Sequence, residues 1–412
     1  MLDIKFIRQN SELVREAIRK KYIDLDLNRL LDVDEKRLEL LKEIEGLRAK
    51  QNKLAGEIAG LKGEERDAKI GESKNIKKNL QEKEGEYKKI EEEFNGLMLK
   101  VPNIPDPSVP EGKDESFNQE IRKWGEKPTF DFPAKDYLNI MEQNGWLDLE
   151  RGVKVSGFRG YFLKGKAALL SMAIWKFVVD ELVKKGFEPV LAPSLARKEN
   201  FVGTGWLPSG EKEIYQMDDM GLVGTSEVSM MGYHKDEILK EEELPKKYVA
   251  FSPCFRKEAG AYGKDTKGIL RVHEFYKVEQ VILCKADHQE SVKWHEELTK
   301  NAEELNQKLS LHYRAVICST GELGLGQVKK YDIETWIPSE NKYRETHSSS
   351  YFHDFQTRRL NIRYRAKDGE LYFAHSLNNT AIATPRILIA IIEQRQQKDG
   401  TFKLPEILEK YL

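Results

Sequence analysis

The chain has 412 residues, of which 39% are hydrophobic and 33% are charged, and its formal net charge is −1. This balance excludes a globally basic nucleic-acid-binding protein, so any contact with nucleic acid has to come from a local patch. The three cysteines lack metal-ligand spacing, and the sequence contains neither a signal peptide nor a long apolar run. We therefore expect a cytoplasmic protein with reduced thiols and no membrane segment.

The first hundred residues carry two heptad-like apolar series with a polar stretch between them. The first series runs from Leu30 to Leu61 and the second from Ile76 to Val101, both in alternating steps of three and four. The polar stretch covers about Lys62 to Ser73 and contains two glycines. Two such segments around one turn predict an antiparallel helical hairpin, an arm roughly 45 Å long.

The sequence leaves the role of this hairpin open. One interpretation is a structural or dimerising coiled coil, and another is contact with phosphate groups. Around the tip, the basic side chains slightly outnumber the acidic ones; they are Lys62, Arg66, Lys69, Lys74, Lys77 and Lys78. The surplus is small, and it gives only weak support for binding to RNA.

A proline-rich segment separates the hairpin from a region of mixed pattern. Four prolines between residues 102 and 110 exclude a helix and indicate a stiff connector. From about Phe130, short strand-like runs recur with few helices between them, and a closing helix is predicted over 382–396. We therefore expect a helical arm over 1–100, a linker and entry segment over 101–129, and an α+β domain with a mostly antiparallel sheet over 130–412.

The segment from Phe251 to Glu279 is the most informative part of this domain. Its second apolar run carries charged and aromatic side chains at alternate positions, namely Arg271, His273, Phe275, Lys277 and Glu279. On a β-strand they would line one face. Charges of both signs around an aromatic ring suit a charged planar ligand. The chain has neither a phosphate-binding P-loop nor a dinucleotide-binding glycine motif, so the two commonest nucleotide folds are not supported.

Several short motifs follow the hairpin. They are VLAP ending at Pro193, GTGWLP from Gly203, GTSEV from Gly224, CFRKEAGAYGKDTKGILRVHEFYKVE from Cys254, and NNTAIATPRILIAIIE from Asn378. The first, fourth and fifth are similar to the three signatures of class II aminoacyl-tRNA synthetases, and GTSEV is similar to a Thr-x-Glu loop that binds serine. Together with the hairpin, the chain resembles bacterial-type seryl-tRNA synthetases over essentially its whole length.

The resemblance implies a site for ATP, L-serine and Mg²⁺. The residues implied for serine are Thr225, Ser226, Glu227, Arg256, Glu279, Asn378 and Thr380. Those implied for ATP are Arg256, Lys257, Glu258, Arg271, Val272, Phe275, Glu345, Thr346, His347, Ser348 and Arg386, with Glu345 and Ser348 also on the metal. Arg256 and Arg386 have the catalytic roles. The implied reaction is activation of serine to seryl-adenylate, followed by transfer to serine tRNA bound through the arm of a homodimer. Whether selenocysteine tRNA is also charged stays open.

The chain departs from the family pattern after Glu345, where it reads THSSSY and the family commonly has ISSCSN. His347 is therefore unusual at an implied ATP position, and a tolerated backbone contact is the favoured interpretation. The third signature has Asn379-Thr380 where Gly-Ser is common, and Ser229 replaces a proline after the Thr-x-Glu loop. These replacements preserve hydrogen-bonding types, so we keep serine as the expected substrate.

Two other interpretations stay open. An amino-acid:carrier-protein ligase would share the catalytic domain, but the long hairpin argues against it. A coiled-coil interaction protein with an inactive catalytic domain is the other, and the intact set of Arg256, Glu258, Glu279 and Arg386 argues against that.

Overall fold

The computed structural model describes residues 1–260, 263 and 265–412. Part of the loop between Glu258 and Gly268 therefore lies outside the described residues. The family resemblance implies that this loop contacts ATP and the tRNA acceptor end, and that contact stays a prediction. The chain divides into two compact units. One comprises Asp3–Arg19 and Ile23–Pro102, and the other comprises Met1–Leu2, Lys20–Tyr22 and Asn103–Leu412.

The elements are numbered in chain order. The helices are α1 (Ile4–Gln9), α2 (Ser11–Lys20), α3 (Leu27–Gly60), α4 (Glu64–Met98), α5 (Tyr137–Gln143), α6 (Leu149–Ser156), α7 (Gly165–Lys184), α8 (Lys198–Thr204), α9 (Glu227–Tyr233), α10 (His288–Lys308), α11 (Phe355–Arg359) and α12 (Arg386–Gln394). The strands are β1 (Gln119–Trp124), β2 (Leu147–Asp148), β3 (Phe162–Leu163), β4 (Glu188–Leu191), β5 (Leu195–Arg197), β6 (Gln216–Met217), β7 (Met220–Leu222), β8 (Ile238–Lys240), β9 (Lys246–Phe255), β10 (Glu274–Cys284), β11 (Tyr313–Ile317), β12 (Lys329–Ile337), β13 (Lys342–His353), β14 (Arg363–Arg365), β15 (Leu371–Phe373) and β16 (His375–Thr384).

Helices α3 and α4 form the antiparallel hairpin that the heptads predict. The side chain of Asp26 caps α3 by accepting hydrogen bonds from two backbone N–H groups. The buried seam consists of Leu27, Leu30, Val33, Leu40, Ile44 and Leu54 on α3 with Leu80, Phe94 and Met98 on α4. The ion pairs between the helices are partly exposed and stabilise the hairpin little. Burial of the apolar seam is therefore the main contribution to its stability.

The tip of the hairpin is tighter than the sequence suggests. The polar stretch predicted to separate the helices is mostly helical, since α4 begins at Glu64. Gly63 precedes it with a φ of +64°, a conformation that glycine adopts readily. Glu64, Glu65 and Asp67 lie in the first turn of α4, where negative charge is favourable. These acidic residues stabilise a helix start that the apolar periodicity alone does not reveal.

The second unit is built on an eight-stranded sheet, in the order β1-β11-β12-β13-β16-β10-β9-β4. Neighbouring strands are antiparallel except for β4, which pairs with β9 in parallel. Helix α10 packs against β13 and β16, and the aliphatic helix α12 packs against β12 and β16. The α+β fold with a mostly antiparallel sheet is thus confirmed.

Some element boundaries differ from the sequence prediction. Strand β10 begins only at Glu274, so Arg271 and His273 precede it. The closing helix begins at Arg386 rather than near residue 382, because β16 continues to Thr384 and Pro385 follows it. Strand β13 was not predicted at all. None of the described helices combines the length and the apolar character needed to span a membrane.

Candidate active site

A cavity of about 390 Å³ opens over strands β10, β16, β13 and β12. Ten of the residues proposed from the sequence line it: Arg256, Glu258, Arg271, Val272, Phe275, Glu345, Thr346, Ser348, Thr380 and Arg386. They come from two separate stretches of the sequence, residues 256–275 and 345–386, so the sheet topology is what brings them together.

Two β-bulges turn the required side chains toward this cavity. Glu345 and Ser348 are three residues apart, which in a regular strand puts side chains on opposite faces. The pairing of β13 with β12 slips at Thr346, because Ile333 pairs with His347 while Glu334 pairs with Glu345. The extra residue lets both Glu345 and Ser348 line the cavity.

A second β-bulge has the same effect on strand β16. Thr380 and Ala383 both line the cavity although they are also three residues apart. Here Ile382 pairs with Val278 and Thr380 with Glu279, so Ala381 is the extra residue. Since a slip of one residue exchanges the two faces of a strand, these bulges determine which side chains reach the site.

Three guanidinium groups, Arg256, Arg271 and Arg386, form what we call the arginine cluster. The Arg271 Nη1 lies 2.6 Å from a carboxylate oxygen of Glu258. Arg386 donates to the backbone carbonyls of Glu345 (3.0 Å) and Leu270 (3.2 Å), and its Nη1 lies 3.5 Å from the Glu345 carboxylate. These arginine side chains are about a quarter exposed. They can therefore exchange a carboxylate for another anion at moderate cost.

Arg256 is held by carbonyl and ring contacts. Its Nε and Nη2 donate to the Gly224 carbonyl at 3.3 and 3.2 Å. The guanidinium carbon lies 5.5 Å from the Trp206 ring centre and 5.4 Å from that of Phe275. Among the described residues, no carboxylate forms an ion pair with it at 4.0 Å or less. Its charge is thus available to an anionic ligand in the cavity.

The lysine–glutamate pair, Lys277 and Glu279, forms the deep end of the site. The Lys277 Nζ lies 2.8 Å from Glu279 and donates to the Thr225 hydroxyl at 2.7 Å. Thr380 donates to the same Glu279 carboxylate at 3.3 Å. The side chains of the pair are only 6% and 3% exposed, so both charges are desolvated and depend on each other.

A second buried carboxylate, Glu227, belongs to this end. Its Oε1 accepts a hydrogen bond of 2.5 Å from Gln356. Burial raises the pKa of Glu227 to about 7, and the nearby Glu279 adds to the effect while Lys277 opposes it. The deep end therefore combines two carboxylates with one ammonium group. A ligand group with a further positive charge would be electrostatically favoured there.

Glu345 is the carboxylate that the cavity exposes most, at 47% of its side chain. Burial within the site acts to raise its pKa, but Arg386, Lys330 and Arg256 outweigh this and lower the pKa of Glu345. Its carboxylate and the hydroxyl of Ser348 are oxygen ligands of the kind that Mg²⁺ prefers. Among the described residues, no group of three or more His, Cys, Asp or Glu side chains is arranged to hold a metal by itself. A magnesium ion here would need phosphate oxygens as additional ligands.

The other residues proposed from the sequence do not line the cavity. They are Thr225, Ser226, Glu227, Lys257, Glu279, His347 and Asn378. The first three, with Glu279 and Asn378, lie buried at or near the deep end. Lys257 is exposed, with its ammonium 5.6 Å from the Tyr215 ring centre. The His347 ring is buried against Asn306 and Thr346, so only its backbone is in a position to serve an ATP site.

Comparison with known proteins matches both units. The seryl-tRNA synthetase N-terminal domain matches residues 1–105, and the class II tRNA synthetase core domain for G, H, P, S and T matches residues 212–395. Serine–tRNA ligase of Deinococcus radiodurans is 47% identical over 414 residues, covering 100% of this chain and 97% of the relative. The chain belongs to the seryl-tRNA synthetase family.

Solved structures of the seryl-tRNA synthetase family agree with this assignment. The enzyme of Pyrococcus horikoshii complexed with ATP has a TM-score of 0.91 at 40% identity, covering 100% of this chain and 98% of that one. The cytoplasmic enzyme of Naegleria fowleri in complex with AMP has a TM-score of 0.87 at 32% identity, covering 100% and 97%. The resemblance stated from the motifs is thus confirmed.

Sequence reasoning assigned no site role to six polar or aromatic residues of the cavity wall: Trp206, Lys277, Glu322, Gln327, Lys330 and Thr384. Trp206 lies within the GTGWLP motif, which was a signal for it. Glu322, Gln327 and Lys330 belong to β12 or the loop before it and carry no motif that would single them out. Only the strand order shows that they border the site.

Proposed function

We propose that the chain is a serine–tRNA ligase that activates L-serine with ATP and transfers the seryl group to the 3′ end of serine tRNA. The observation that carries this is the arginine cluster in a cavity whose lining also includes Lys277, with the buried carboxylates of Glu279 and Glu227 directly behind that ammonium group. Family membership and the relative complexed with ATP support it.

The residues have separate tasks in adenylate formation. Arg256 binds the serine carboxylate and the α-phosphate, so that two anions approach each other without mutual repulsion. Phe275 stacks under the adenine, Arg386 covers its other face, and Glu258 accepts a hydrogen bond from its amino group. Arg271 and Arg386 also reach the outer phosphates. Thr225, Glu227, Glu279 and Thr380, with Asn378 behind them, recognise the ammonium and hydroxyl groups of serine, and so reject apolar analogues by leaving buried groups unpaired.

The chemistry then needs no protein nucleophile. A serine carboxylate oxygen attacks the α-phosphorus of ATP, and the bond to the leaving pyrophosphate breaks as the new P–O bond forms. A hydroxyl of the terminal tRNA ribose next attacks the seryl carbonyl, and AMP leaves. Glu345 and Ser348 would hold a Mg²⁺ ion, which supplies positive charge for the phosphate oxygens when bound.

Two measurements test this function. Serine- and ATP-dependent pyrophosphate exchange reports the first step, and aminoacylation of serine tRNA reports the second. Exchange without transfer to tRNA would instead favour the amino-acid:carrier-protein ligase. Absence of both activities would favour an interaction protein with an inactive catalytic domain.

We propose that the helical hairpin is the tRNA-binding arm. Its exposed tip carries several basic side chains, and the family model for the N-terminal domain covers it. Deletion of residues 36–97 should abolish aminoacylation but preserve serine-dependent exchange. Loss of exchange as well would contradict an arm that acts separately from adenylate formation.

A homodimer in the cytoplasm is the proposed working state. Within the part of the chain that the structure describes, the end of the sheet at β4 is an unpaired edge, and Leu191 on it is 84% exposed. Leu169 and Met172 on α7 are also more than half exposed. Unpartnered edges and apolar patches of this kind are typical of interfaces. Sedimentation should show a dimer that Met172→Lys and Leu191→Lys weaken, and an active wild-type monomer would contradict the proposal.

A further inference from the structure

One wall of the cavity carries no residue that is proposed to bind ATP or serine. We call it the β12 wall, and it consists of Lys330 on β12 with Glu322 and Gln327 in the loop before that strand. The residues proposed for ATP and serine lie on β10, β13, β16 and α12, next to β9 and β10, or at the start of α9. In the sheet, β12 lies beyond β13, on the side away from β16 and β10. The β12 wall therefore lies beyond β13 from the residues proposed for the adenine and for serine, although the charge of Lys330 still acts on Glu345.

The loop of this wall is rigidly held. The buried Lys21 ammonium donates to the carbonyls of Gly324 (3.1 Å), Leu325 (3.1 Å) and Gln327 (2.6 Å). The Gln327 side chain accepts from the Gly324 N–H and donates to the Ser350 hydroxyl. Burying an ammonium group is costly unless its hydrogen bonds are satisfied, as they are here. Such a fixed wall is expected of a preorganised binding surface rather than of a loose rim.

Lys330 supplies the charge of the wall. Its side chain is 15% exposed, and its Nζ lies 3.1 Å from the Oδ2 of Asp332. The second oxygen of Asp332 is buried and has no hydrogen-bond partner among the described residues. Asp332 thus anchors the ammonium from one side, and Lys330 still lines the cavity. An ammonium group held in this way can bind a phosphate oxygen.

The identity of the ligand follows from the third substrate. The terminal ribose of the tRNA has to reach the seryl carbonyl within this cavity, and the loop between Glu258 and Gly268 is so far the one segment expected to contact the acceptor end. A nucleotide offers a phosphodiester to Lys330, and its hydroxyl and base groups offer hydrogen bonds to Glu322 and Gln327. We propose that the β12 wall binds the 3′-terminal nucleotide of the tRNA, with Lys330 on its phosphate. This inference rests on the proposed function of the cavity.

The test compares the two half-reactions in the same protein preparations. Lys330→Met removes the ammonium, and Lys330→Met/Asp332→Asn removes both charges in case the single variant fails to fold. In either variant, the ratio of aminoacylation to pyrophosphate exchange should fall by about tenfold or more, as expected for a lost charged contact. Lys329→Met is the matched control, because Lys329 lies one residue earlier and stacks on the Tyr331 ring instead. Its ratio should stay within about twofold of the wild type.

The salt dependence of aminoacylation separates a phosphate contact from a structural role. The slope of log kcat/KM for tRNA against log salt should become shallower by about 0.7 in the double variant, the value expected for one phosphate contact in a single strand. An unchanged slope, or parallel losses of exchange and aminoacylation, would overturn the proposal; parallel losses with a raised KM for ATP would make the wall an ATP subsite. If the wild type showed no exchange, the proposed function itself would fail.

Discussion

The arginine cluster and the lysine–glutamate pair both contain ion pairs with carboxylates, but they differ in how far those ion pairs are exposed to solvent. Arg271 and Arg386 pair with carboxylates while a quarter of each side chain stays exposed. Lys277 and Glu279 are almost completely buried and share their hydrogen bonds with Thr225 and Thr380.

The difference matches the ligands that the two ends are proposed to bind. A partly exposed ion pair contributes less stability than a fully buried one, so a phosphate can replace its carboxylate at moderate cost. A buried pair is expensive to break, so it keeps its geometry while the ligand comes and goes. The proposed polyanionic ligand, ATP, would thus bind to arginines whose ion pairs can be exchanged. Serine would bind beside a buried ion pair whose geometry stays fixed.

The largest effect is expected from Arg256, which is open to an anionic ligand at the junction of the two ends. Arg256→Ala should lower kcat/KM of serine-dependent pyrophosphate exchange by about 10³-fold, because one preorganised electrostatic group typically contributes 10²–10³-fold or more. Lys257→Ala is the control, since that side chain lies against the Tyr215 ring. A near-normal rate for Arg256→Ala would overturn the role proposed for it.

The buried Glu227 at the deep end of the site predicts that the stability of the protein depends on pH. The pKa of Glu227 is about 7 in the folded protein, above its ordinary value of 4.5. The folded state therefore binds this proton more tightly than the unfolded state, and stability is lost as the pH rises from about 4.5 to 7. Above pH 7 the loss reaches roughly 3 kcal/mol. Glu227→Gln should remove it, so urea unfolding at pH 8 without serine should show a more stable variant.

The matched control for this prediction is Glu242→Gln, since the Glu242 side chain is 76% exposed. Its unfolding free energy should follow the wild type at both pH values. If Glu227→Gln were instead equally stable or less stable than the wild type at pH 8, the buried charge would not carry the proposed penalty.

A smaller effect is expected at the ion pair between Glu258 and Arg271 of the arginine cluster. Glu258→Gln weakens the 2.6 Å contact with Arg271 and the proposed hydrogen bond to the adenine amino group. The KM for ATP in pyrophosphate exchange should rise about tenfold, the size expected for one charge-assisted hydrogen bond. The KM for serine should change little. Asp265→Asn is the control because Asp265 lies 3.5 Å from Arg271, and an equal effect there would contradict a special role for Glu258.

Regular periodicity made the hairpin predictable. Leu30, Leu40, Ile44 and Leu54 lie on the buried seam at the positions that the heptads indicate. Local periodicity is enough there because each helix contacts one partner along its whole length. The start of α4 was not predicted, since it depends on acidic residues in its first turn rather than on apolar spacing.

The residues of the site could be predicted from sequence motifs, but their arrangement in space could not. The family resemblance pointed to Arg256, Glu345 and Ser348, yet spacing alone would put Glu345 and Ser348 on opposite faces of a strand. The bulge at Thr346 is a property of strand pairing and has no local sequence signal. The contact between Lys277 and Thr225 likewise joins residues 52 positions apart. Such contacts depend on topology.

The smallest effect on catalysis is expected at His347, which follows the bulge at Thr346 and does not line the cavity. Its Nδ1 lies 2.8 Å from the Thr346 hydroxyl, and its Nε2 lies 3.3 Å from the Asn306 amide nitrogen. His347→Ser restores the residue common in the family. The KM for ATP should stay within about twofold of the wild type, while the free energy of unfolding should fall by roughly 2 kcal/mol because a buried ring is lost.

The pH dependence of stability gives this prediction a second readout. Burial lowers the pKa of His347 to about 3 from its ordinary value of 6.5, so the unfolded state binds the proton more tightly. This group therefore costs the wild type stability as the pH falls from 6.5 toward 3, and His347→Ser should lose less stability over that range. Ser348→Ala, which changes a side chain in the cavity wall, should instead raise the KM for ATP with little change in stability. The reverse pattern would mean that the His347 ring, and not Ser348, contacts the nucleotide.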